Sequence, residues 1–218
     1  MKVCIEYLHA DLWRPSQTPT LGGNRYFLSI VDDFTRKVWV FPLRTKDQIL
    51  EKFKTWKALV ENQIDKRIKT LRIDNGLEFC NREFDEFCNT HGIIRHKTVR
   101  NTPQQNGVAE RMNITLLENV RCLLFIAGMR KTFWGEALST AAYLVNRSPS
   151  IVLNLKGLEE KWIGRKMNLE YLKVFGCEAY VYQSVEKLDP RSIKCVFVGY
   201  QNGTKGYSYG IGVQVELK

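Results

Sequence analysis

The segment 26–43, YFLSIVDDFTRKVWVFPL, is the feature that most restricts how this chain can fold. Two β-rich apolar runs flank a polar region at Asp32 and Asp33, which predicts an antiparallel hairpin with both aspartates in a solvated turn. The preceding stretch IEYLHADLW (5–13) alternates well enough to form another strand. Three strands that can pair in chain order therefore commit the first part of the chain to a sheet.

Helices and strands alternate after the hairpin. Apolar residues at helical spacing predict a helix over 46–63, and a strand, a helix, a strand and two helices follow. Their predicted ranges are 68–74, 81–92, 93–99, 108–127 and 131–147. This order predicts an α/β fold, in which a mixed sheet has helices packed on its faces.

The last part of the chain has a different pattern. Residues 150–168 have the appearance of a linker region, and short β runs follow from Tyr171 onward. These runs predict a small separate β-barrel or sheet module, whose end we expect to be truncated. We therefore divide the chain into a core domain at 1–149, a linker at 150–170 and a β module at 171–218.

Charge and composition indicate the class of partner. The net charge is +10, which favours a polyanionic partner such as nucleic acid, although solubility explains part of such a charge. The apolar runs are too short to span a membrane, and no signal peptide is recognisable. The six cysteines form no C-x-x-C pair and the three histidines give no zinc-site spacing, so we expect reduced cysteines in an intracellular protein.

Three carboxylates stand where strand ends and a helix start can meet. Asp11 lies within or at the end of the first strand, Asp74 ends the strand after the first long helix, and Glu110 lies in the first turn of the helix that follows the loop in TPQQNGVAERMN. The step from Asp74 to Glu110 is 110 − 74 = 36, which leaves 35 residues between them. Two-metal phosphoryl transfer needs such a set, because hard divalent ions prefer oxygen ligands and two ions can clamp both oxygens of an in-line displacement.

Each carboxylate also has a purely structural explanation. The sequence at 74–76 is an ordinary turn, Asp11 can be a strand-end aspartate that faces solvent, and Glu110 can simply favour the positive end of the helix dipole. Helix geometry places Glu110 at the border between the apolar stripe and solvent, from which it can reach a neighbouring strand end. The same geometry points Arg111 toward solvent and leaves Ile114 on an exposed stripe.

Several stretches together carry a resemblance to a known family. They are LHADLW, YFLSIVDDFTRKVWVFPLRTKDQ, IKTLRIDNGLEF, TPQQNGVAERMN and FWGEALSTAAYLVNRSPS. In this order they resemble the integrase catalytic core of copia-type LTR retrotransposons, which has a ribonuclease H-like fold and a D,D-35-E active site. KVFGCEAYVY and KLDPRSIKCVFVGYQNGTKGY resemble the SH3-like module that follows this core in the polyproteins. The resemblance implies a ribonuclease H-like mixed sheet flanked by helices, followed by a small SH3-like β module.

The resemblance also implies an activity and its cofactors. Asp11, Asp74 and Glu110 correspond to the catalytic residues, which hold a pair of Mg²⁺ or Mn²⁺ ions. Water first trims the 3′ end of the element's DNA, and the freed 3′-hydroxyl then attacks a phosphodiester of target DNA. The implied partners are double-stranded DNA, both element ends and target, and further copies of the chain in a homo-oligomer, with no membrane. The implied location is the nucleus or a cytoplasmic virus-like particle.

The loop that precedes Glu110 resembles the family's mobile loop beside the active site. Its amides and its glycine suit a close approach to a DNA backbone. Basic residues around it are candidate phosphate contacts, although each can equally be an ordinary solvated charge. The residues that we expect to bind DNA are Lys97, Arg100, Gln104, Gln105, Asn106, Gly107 and Arg111.

Departures from the family pattern keep two alternatives open. Leu77 replaces a usual glycine, so we expect it to shift the Asp74 turn, and Ile114 replaces a typically basic residue, which weakens phosphate binding. The upstream zinc-binding domain and the other regions of the polyprotein are missing, so we expect a fragment. The alternatives are a catalytically weakened or repurposed DNA-binding remnant, and a ribonuclease H-like nuclease that acts on RNA–DNA hybrids.

Overall fold

A five-stranded mixed sheet forms the centre of the first part of the chain. The structure is a computed structural model that describes residues 4–98, 106–150, 153, 155–184, 190–201 and 206–211. The strands are β1 (Tyr7–Trp13), β2 (Tyr26–Asp32), β3 (Val38–Leu43), β4 (Thr70–Ile73) and β5 (Ile94–Lys97), in the spatial order β3-β2-β1-β4-β5. Strands β1, β2 and β3 are antiparallel, whereas β4 is parallel to both β1 and β5. The predicted mixed sheet is therefore confirmed.

The predicted helices are also present, with ends that differ by at most three residues. They are α1 (Gln48–Ile64), α2 (Arg82–Thr90), α3 (Gly107–Ile126) and α4 (Trp134–Arg147), the last preceded by a short 3-10 helix (Lys131–Phe133). Local chemistry fixes some of these ends. Helix α2 begins where the side chain of Asn81 accepts a hydrogen bond of 2.8 Å from the backbone N–H of Phe84, a group that otherwise has no partner in the helix.

Alternation along β1 decides which side chains face the core on each side of the sheet. Leu8 and Ala10 have no exposed surface, and they pack in one hydrophobic cluster with Phe53 of α1 and Phe84 of α2. Since successive side chains of a strand point to opposite faces, the odd-numbered residues of β1 face away from α1 and α2. Asp11 therefore lies on the other face of the sheet.

That second face is covered by α3 and α4 over β2 and β3. Leu116 and Val120 of α3 share a second hydrophobic cluster with Phe27 and Val31 of β2 and with Ala141 of α4. The apolar stripe predicted for α3 thus packs on the same face of the sheet that carries Asp11. This arrangement brings the beginning of α3 to the end of β1.

The turn of the hairpin differs from the prediction. Asp32 is completely buried. Its carboxylate accepts hydrogen bonds from the backbone N–H of Ile5 (2.7 Å) and from both the N–H (2.7 Å) and the hydroxyl (2.6 Å) of Thr35, which compensate for the lost contact with water. Asp33 is bound by His9 and Arg36. The expectation of a solvated turn is wrong, since these two carboxylates tie the hairpin to the chain that precedes it.

The region predicted as a linker contains a short helix that packs back on the core. Residues Pro149–Ser150 (β6) and Lys156–Gly157 (β7) form a two-stranded ribbon, and α5 (Leu158–Ile163) follows. The ring of Trp162 lies 5.0 Å from that of Trp39. Glu159 accepts a hydrogen bond of 2.8 Å from Lys37, whose ammonium also lies 4.8 Å from the Trp162 ring. Helix α5 is thus held by an aromatic contact and by a largely buried ion pair.

A three-stranded antiparallel sheet forms the last described part of the chain. It consists of β8 (Glu178–Tyr182), β9 (Ser192–Tyr200) and β10 (Tyr207–Ile211), with β9 in the middle. It packs on α4, where the Thr140 hydroxyl donates to the carbonyl of Val198 (3.3 Å) and the rings of Tyr143 and Tyr200 stack at 3.8 Å. Residues 212–218 lie outside the described part, so the expected truncation and the division into domains stay predictions.

Candidate active site

The pairing of β1 with β4 brings Asp11 and Asp74 side by side. Tyr7 pairs with Thr70 and His9 with Arg72, a constant offset of 63 (70 − 7). The same offset places Asp11 opposite position 74, one residue past the end of β4. Because neighbouring strands lie about 4.8 Å apart and paired residues point to the same face, these two carboxylates share one edge of the site.

Asp11 is held by two asparagines of the loop–helix segment that begins α3. The side chain of Asn113 donates a hydrogen bond of 2.7 Å to one carboxylate oxygen of Asp11, and the amide of Asn106 lies 3.4 Å from the other. Burial raises the pKa of the Asp11 carboxyl to about 6, the charges of Asp74 and Glu110 add to this effect, and the Asn113 hydrogen bond opposes it. The negative charges of Asp74 and Glu110 therefore both act on Asp11.

The turn after β4 orients Asp74. The backbone N–H of Gly76 donates to a carboxylate oxygen of Asp74 at 3.0 Å, and a Cβ added at Gly76 would lie 2.8 Å from the carboxyl carbon of Glu78. Glycine here lets the carboxyl ends of Glu78 and Asp74 lie close to its backbone, and a larger residue would have to displace them. Leu77 is 85% exposed and the Gly76–Asp74 hydrogen bond forms beside it, while the expected shift of this turn by Leu77 stays a prediction.

Glu110, the third predicted carboxylate, lies in the first turn of α3. It is half-buried, as expected for the border of the apolar stripe. Within the described ranges, no three histidine, cysteine, aspartate or glutamate side chains are grouped closely enough to hold a metal ion. The carboxylates converge without forming a finished ligand set, although their hard oxygen atoms are the donors that Mg²⁺ and Mn²⁺ prefer.

The predicted DNA-binding residues are placed in different surroundings. Three of them, Arg100, Gln104 and Gln105, lie outside the described residues. Lys97 pairs with Ile73, whose side chain belongs to the α1 cluster, so the register places Lys97 on the face opposite Asp11. Asn106 is 1% exposed and its side-chain amide faces Asp11. It is therefore not placed on the surface, where a residue that contacts the DNA backbone was expected.

The remaining two DNA-binding candidates lie at the start of α3. A Cβ added at Gly107 would meet nothing within 4 Å, so the fold itself does not require glycine there. Arg111 is exposed, and Ile114, one turn below Glu110, is 57% exposed, both as helix geometry predicted. Arg111 is therefore open to a partner, whereas the neighbouring Ile114 presents an apolar surface.

Two residues of the site were missed from the sequence. Asn113 is buried at a position that follows the core spacing of α3 with Leu116 and Val120, so a polar residue inside an apolar stripe was the available signal. Glu78 lies near enough to Asp11 to raise the pKa of its carboxyl, and it forms an ion pair of 3.6 Å with Lys46. Nothing in the spacing of Glu78 distinguishes it from an ordinary surface acid.

Comparison with protein families identifies two parts of the chain. Residues 5–103 match the integrase core domain, and residues 177–209 match the retroviral polymerase SH3-like domain. The first range contains Asp11 and Asp74, and the second covers the three-stranded sheet. Within the described ranges, no helix has the length and apolar character needed to cross a membrane.

Curated relatives are polyproteins of transposons. The chain is 46% identical over 206 residues to the retrovirus-related Pol polyprotein from transposon TNT 1-94 of Nicotiana tabacum, which covers 93% of this chain and 16% of that protein. It is 37% identical over 206 residues to the Pol polyprotein from transposon RE2 of Arabidopsis thaliana, covering 93% of this chain and 14% of that protein. The chain thus spans about one sixth of the length of these relatives.

Solved structures share the fold at low sequence identity. The HTLV-2 integrase catalytic core domain in complex with magnesium, in its trimeric form, superposes with a TM-score of 0.54 at 17% identity, covering 72% of this chain and 95% of that chain. A simian T-cell lymphotropic virus intasome in complex with the PP2A regulatory subunit B56 gamma gives 0.59 at 15% identity, covering 98% and 77%. These matches confirm the predicted fold, a ribonuclease H-like mixed sheet followed by an SH3-like module. The chain therefore carries an integrase core domain of the kind found in copia-type retrotransposon Pol polyproteins, followed by a retroviral polymerase SH3-like domain.

Proposed function

We propose that the chain catalyses divalent-metal-dependent 3′-end processing and DNA strand transfer, which insert element DNA into target DNA. The observation that carries this proposal is the register that aligns Asp11 with Asp74 at the end of a buried parallel strand pair. Charge from Asp74, Glu110 and Glu78 acts on the buried Asp11 carboxyl. A structural role alone does not explain such a concentration of like charge, which a bound cation offsets.

In this proposal Asp11, Asp74 and Glu110 hold a pair of Mg²⁺ or Mn²⁺ ions. When bound, such ions polarise the phosphodiester and stabilise the attacking and leaving oxygens. The chain's own groups orient the ligands: Asn113 donates to Asp11, and the backbone N–H of Gly76 donates to Asp74. These donors orient the two carboxylates, whose remaining lone pairs would face the ions.

The proposed partners are double-stranded DNA and further copies of the chain. The net charge of +10 supports a polyanionic partner. Related folds are described as a dimeric form, a trimeric form and an intasome, which supports a multimer as the working state. The exposed Arg111 on α3 and the predicted loop contacts are the groups that we expect to reach the DNA backbone.

A strand-transfer assay tests the proposal with a labelled duplex that carries the element end, a target duplex and Mn²⁺. We expect product from the wild-type chain and a loss of at least about 100-fold for Asp74→Asn, because a metal ligand is removed. Asp65→Asn is the matched control, since this exposed residue ends α1 far from the site in a left-handed conformation that asparagine also adopts.

Other outcomes separate the alternatives. Full activity of Asp11→Asn and Glu110→Gln would show that the three-carboxylate site is wrong. DNA binding without any cleavage indicates the weakened or repurposed remnant. Cleavage of an RNA–DNA hybrid without strand transfer indicates a ribonuclease H-like nuclease.

A further inference from the structure

The sheet face that carries the carboxylates continues into a row of polar residues that becomes exposed at β5. The register pairs His9 with Arg72, and Arg72 with His96, across β1, β4 and β5. This row lies two residues before Asp11 and Asp74 along each strand, a distance of about 7 Å at 3.3 Å per residue. His9, Arg72 and His96 therefore lie on the same face as the two carboxylates, one step away from them.

Hydrogen bonds join this row to Tyr7. The phenol oxygen of Tyr7 lies 3.0 Å from Nδ1 of His96, and one guanidinium nitrogen of Arg72 donates to the same oxygen at 3.3 Å. The ring of Tyr7 also contacts the rings of His9 and His96, with centroids 5.3 and 5.6 Å apart. Tyr7, Arg72 and His96 thus form one connected group, which we call the polar shelf.

The polar shelf is accessible because the helices of this face lie elsewhere. Helix α3 packs on β1 and β2, and α4 packs on β3. Over β5, Ile94 is 61% exposed and His96 is exposed, while Tyr7 and Arg72 are half-buried. The shelf therefore opens to solvent at its β5 side and continues toward the carboxylates at its other end.

Arg72 forms no ion pair with a carboxylate in the described part of the chain. Among the described residues, Arg36, Arg82 and Arg95 each form an ion pair, and Arg72 forms none. Its Nε is buried without a hydrogen-bond partner in the described part of the chain.

We propose that Tyr7, Arg72 and His96 bind a backbone phosphate of the DNA strand that enters the carboxylate site, next to the phosphate that reacts. A half-buried arginine next to the edge strand β5 suits a phosphate oxygen, because a guanidinium can present two N–H groups to one anion. Tyrosine and histidine supply further donors to phosphate and sugar oxygens without reading the base sequence. The proposal rests on the proposed function, since it places the shelf along the path of the reacting strand.

Fluorescence anisotropy of a short labelled DNA duplex tests the shelf without any metal. The full chain is titrated in EDTA at several salt concentrations, so the result does not depend on catalysis. His96→Glu places a negative charge at the exposed side of the shelf, and His91→Glu is its matched control because His91 is an exposed histidine at the end of α2. We expect His96→Glu to weaken duplex binding by about tenfold and His91→Glu by less than about twofold.

The salt dependence of duplex binding by Arg72→Gln is a second test of the shelf. Loss of one phosphate contact lowers the slope of log affinity against log salt by about 1, whereas Arg82→Gln, which removes an ion-paired charge from α2, leaves the slope unchanged. Arg72→Lys keeps the charge and should restore the slope. Circular dichroism melting verifies that each variant is folded, and His96→Glu still decides the matter if Arg72→Gln does not fold.

The proposal is overturned if His96→Glu and His91→Glu bind the duplex equally well, or if the wild-type chain does not bind duplex DNA at low salt. If the shelf instead binds an acidic protein partner, the wild-type chain would fail to bind duplex DNA at low salt. Equal binding by the two variants alongside wild-type strand transfer would refute the shelf alone. Absence of strand transfer with the expected binding differences would refute the proposed function and leave the shelf standing.

Discussion

Asp11 is a residue whose charge destabilises the fold that holds it. Burial and the neighbouring acids raise the pKa of its carboxyl from 3.8 to about 6, so the folded state binds the proton more tightly than the unfolded state does. The stability that this proton contributes is present below about pH 4 and is lost as the pH rises toward 6. At pH 8 without metal the ionised carboxyl costs the fold at most about 3 kcal/mol.

We therefore expect Asp11→Asn to raise the free energy of unfolding at pH 8 in EDTA by about 1–3 kcal/mol, with little gain at pH 4. Urea unfolding at both pH values measures this difference. Asp47→Asn is the control, because Asp47 is exposed before α1 and its side chain makes no capping hydrogen bond. An equal increase in the free energy of unfolding at pH 4 and pH 8 would show that ionisation of the Asp11 carboxyl does not destabilise the fold.

Asn113 acts on the site through Asp11, which makes it a positioning residue. Its removal leaves one oxygen of Asp11 without a donor, so we expect Asn113→Ala to raise the Mn²⁺ concentration for half-maximal strand transfer by about 10-fold to 100-fold. Asn119→Ala is the matched control on the same helix, since Asn119 bonds only to the carbonyl of Thr115 within the described residues. A lower maximal rate with an unchanged Mn²⁺ requirement would indicate a structural role instead.

At the scale of elements, one largely buried ion pair helps to hold α5 on the core. Lys37 and Glu159 are largely shielded from solvent, and removing one partner leaves a buried charge without its counter-ion. We expect Glu159→Gln to lower the free energy of unfolding by about 3 kcal/mol, and Lys37→Met with Glu159→Leu to restore most of it. Denaturant unfolding measures both variants.

The exposed pair of Glu178 and Lys194 in the three-stranded sheet is the reference for this prediction. Glu178→Gln should lower the free energy of unfolding by less than about 1 kcal/mol, because solvent screens both charges. If Glu159→Gln lowers the free energy of unfolding no more than Glu178→Gln does, burial of the Lys37–Glu159 pair does not increase its contribution to stability.

Elements were predicted well where their signal is local, and poorly where it depends on distant contacts. The periodic apolar residues of α1 and α3 gave helices within two residues of the observed ends. The burial of Asp32 depends on the backbone of Ile5, 27 positions away, and α5 depends on Trp39 of another strand. The candidate site follows the same rule, since Asp11, Asp74 and Glu110 carry a spacing pattern. Asn113 interrupts the apolar stripe of α3, but its partner Asp11 is identified only when α3 packs on β1.

At the scale of the whole molecule, the three-stranded sheet and the core share one hydrophobic cluster. Gly176 has a φ of +82°, and a Cβ added there would lie 2.3 Å from the side chain of Ala127. Gly164 has a φ of +72° with nothing within 4 Å of an added Cβ. The two glycines therefore separate the cost of backbone strain from the cost of a steric clash between the two parts of the chain.

We expect Gly164→Ala to lower the free energy of unfolding by about 1 kcal/mol, and Gly176→Ala to lower it by about 1–3 kcal/mol more. Tryptophan fluorescence is the measurement, because all five tryptophans precede the three-stranded sheet in the chain. If Gly176→Ala destabilises the unfolding transition seen by tryptophan fluorescence no more than Gly164→Ala does, the three-stranded sheet does not stabilise the core.

The docking of α5 has a practical consequence for anyone who wishes to prepare the core alone. A chain cut after Pro149, at the boundary that its sequence suggests, would lose Trp162 and Glu159, uncover the indole of Trp39 and leave Lys37 without its counter-ion. Such a fragment would expose an aromatic patch, and we expect it to aggregate and to be cleaved by proteases more readily. The shortest well-behaved fragment for crystallisation should instead end beyond Gly164, where α5 is complete.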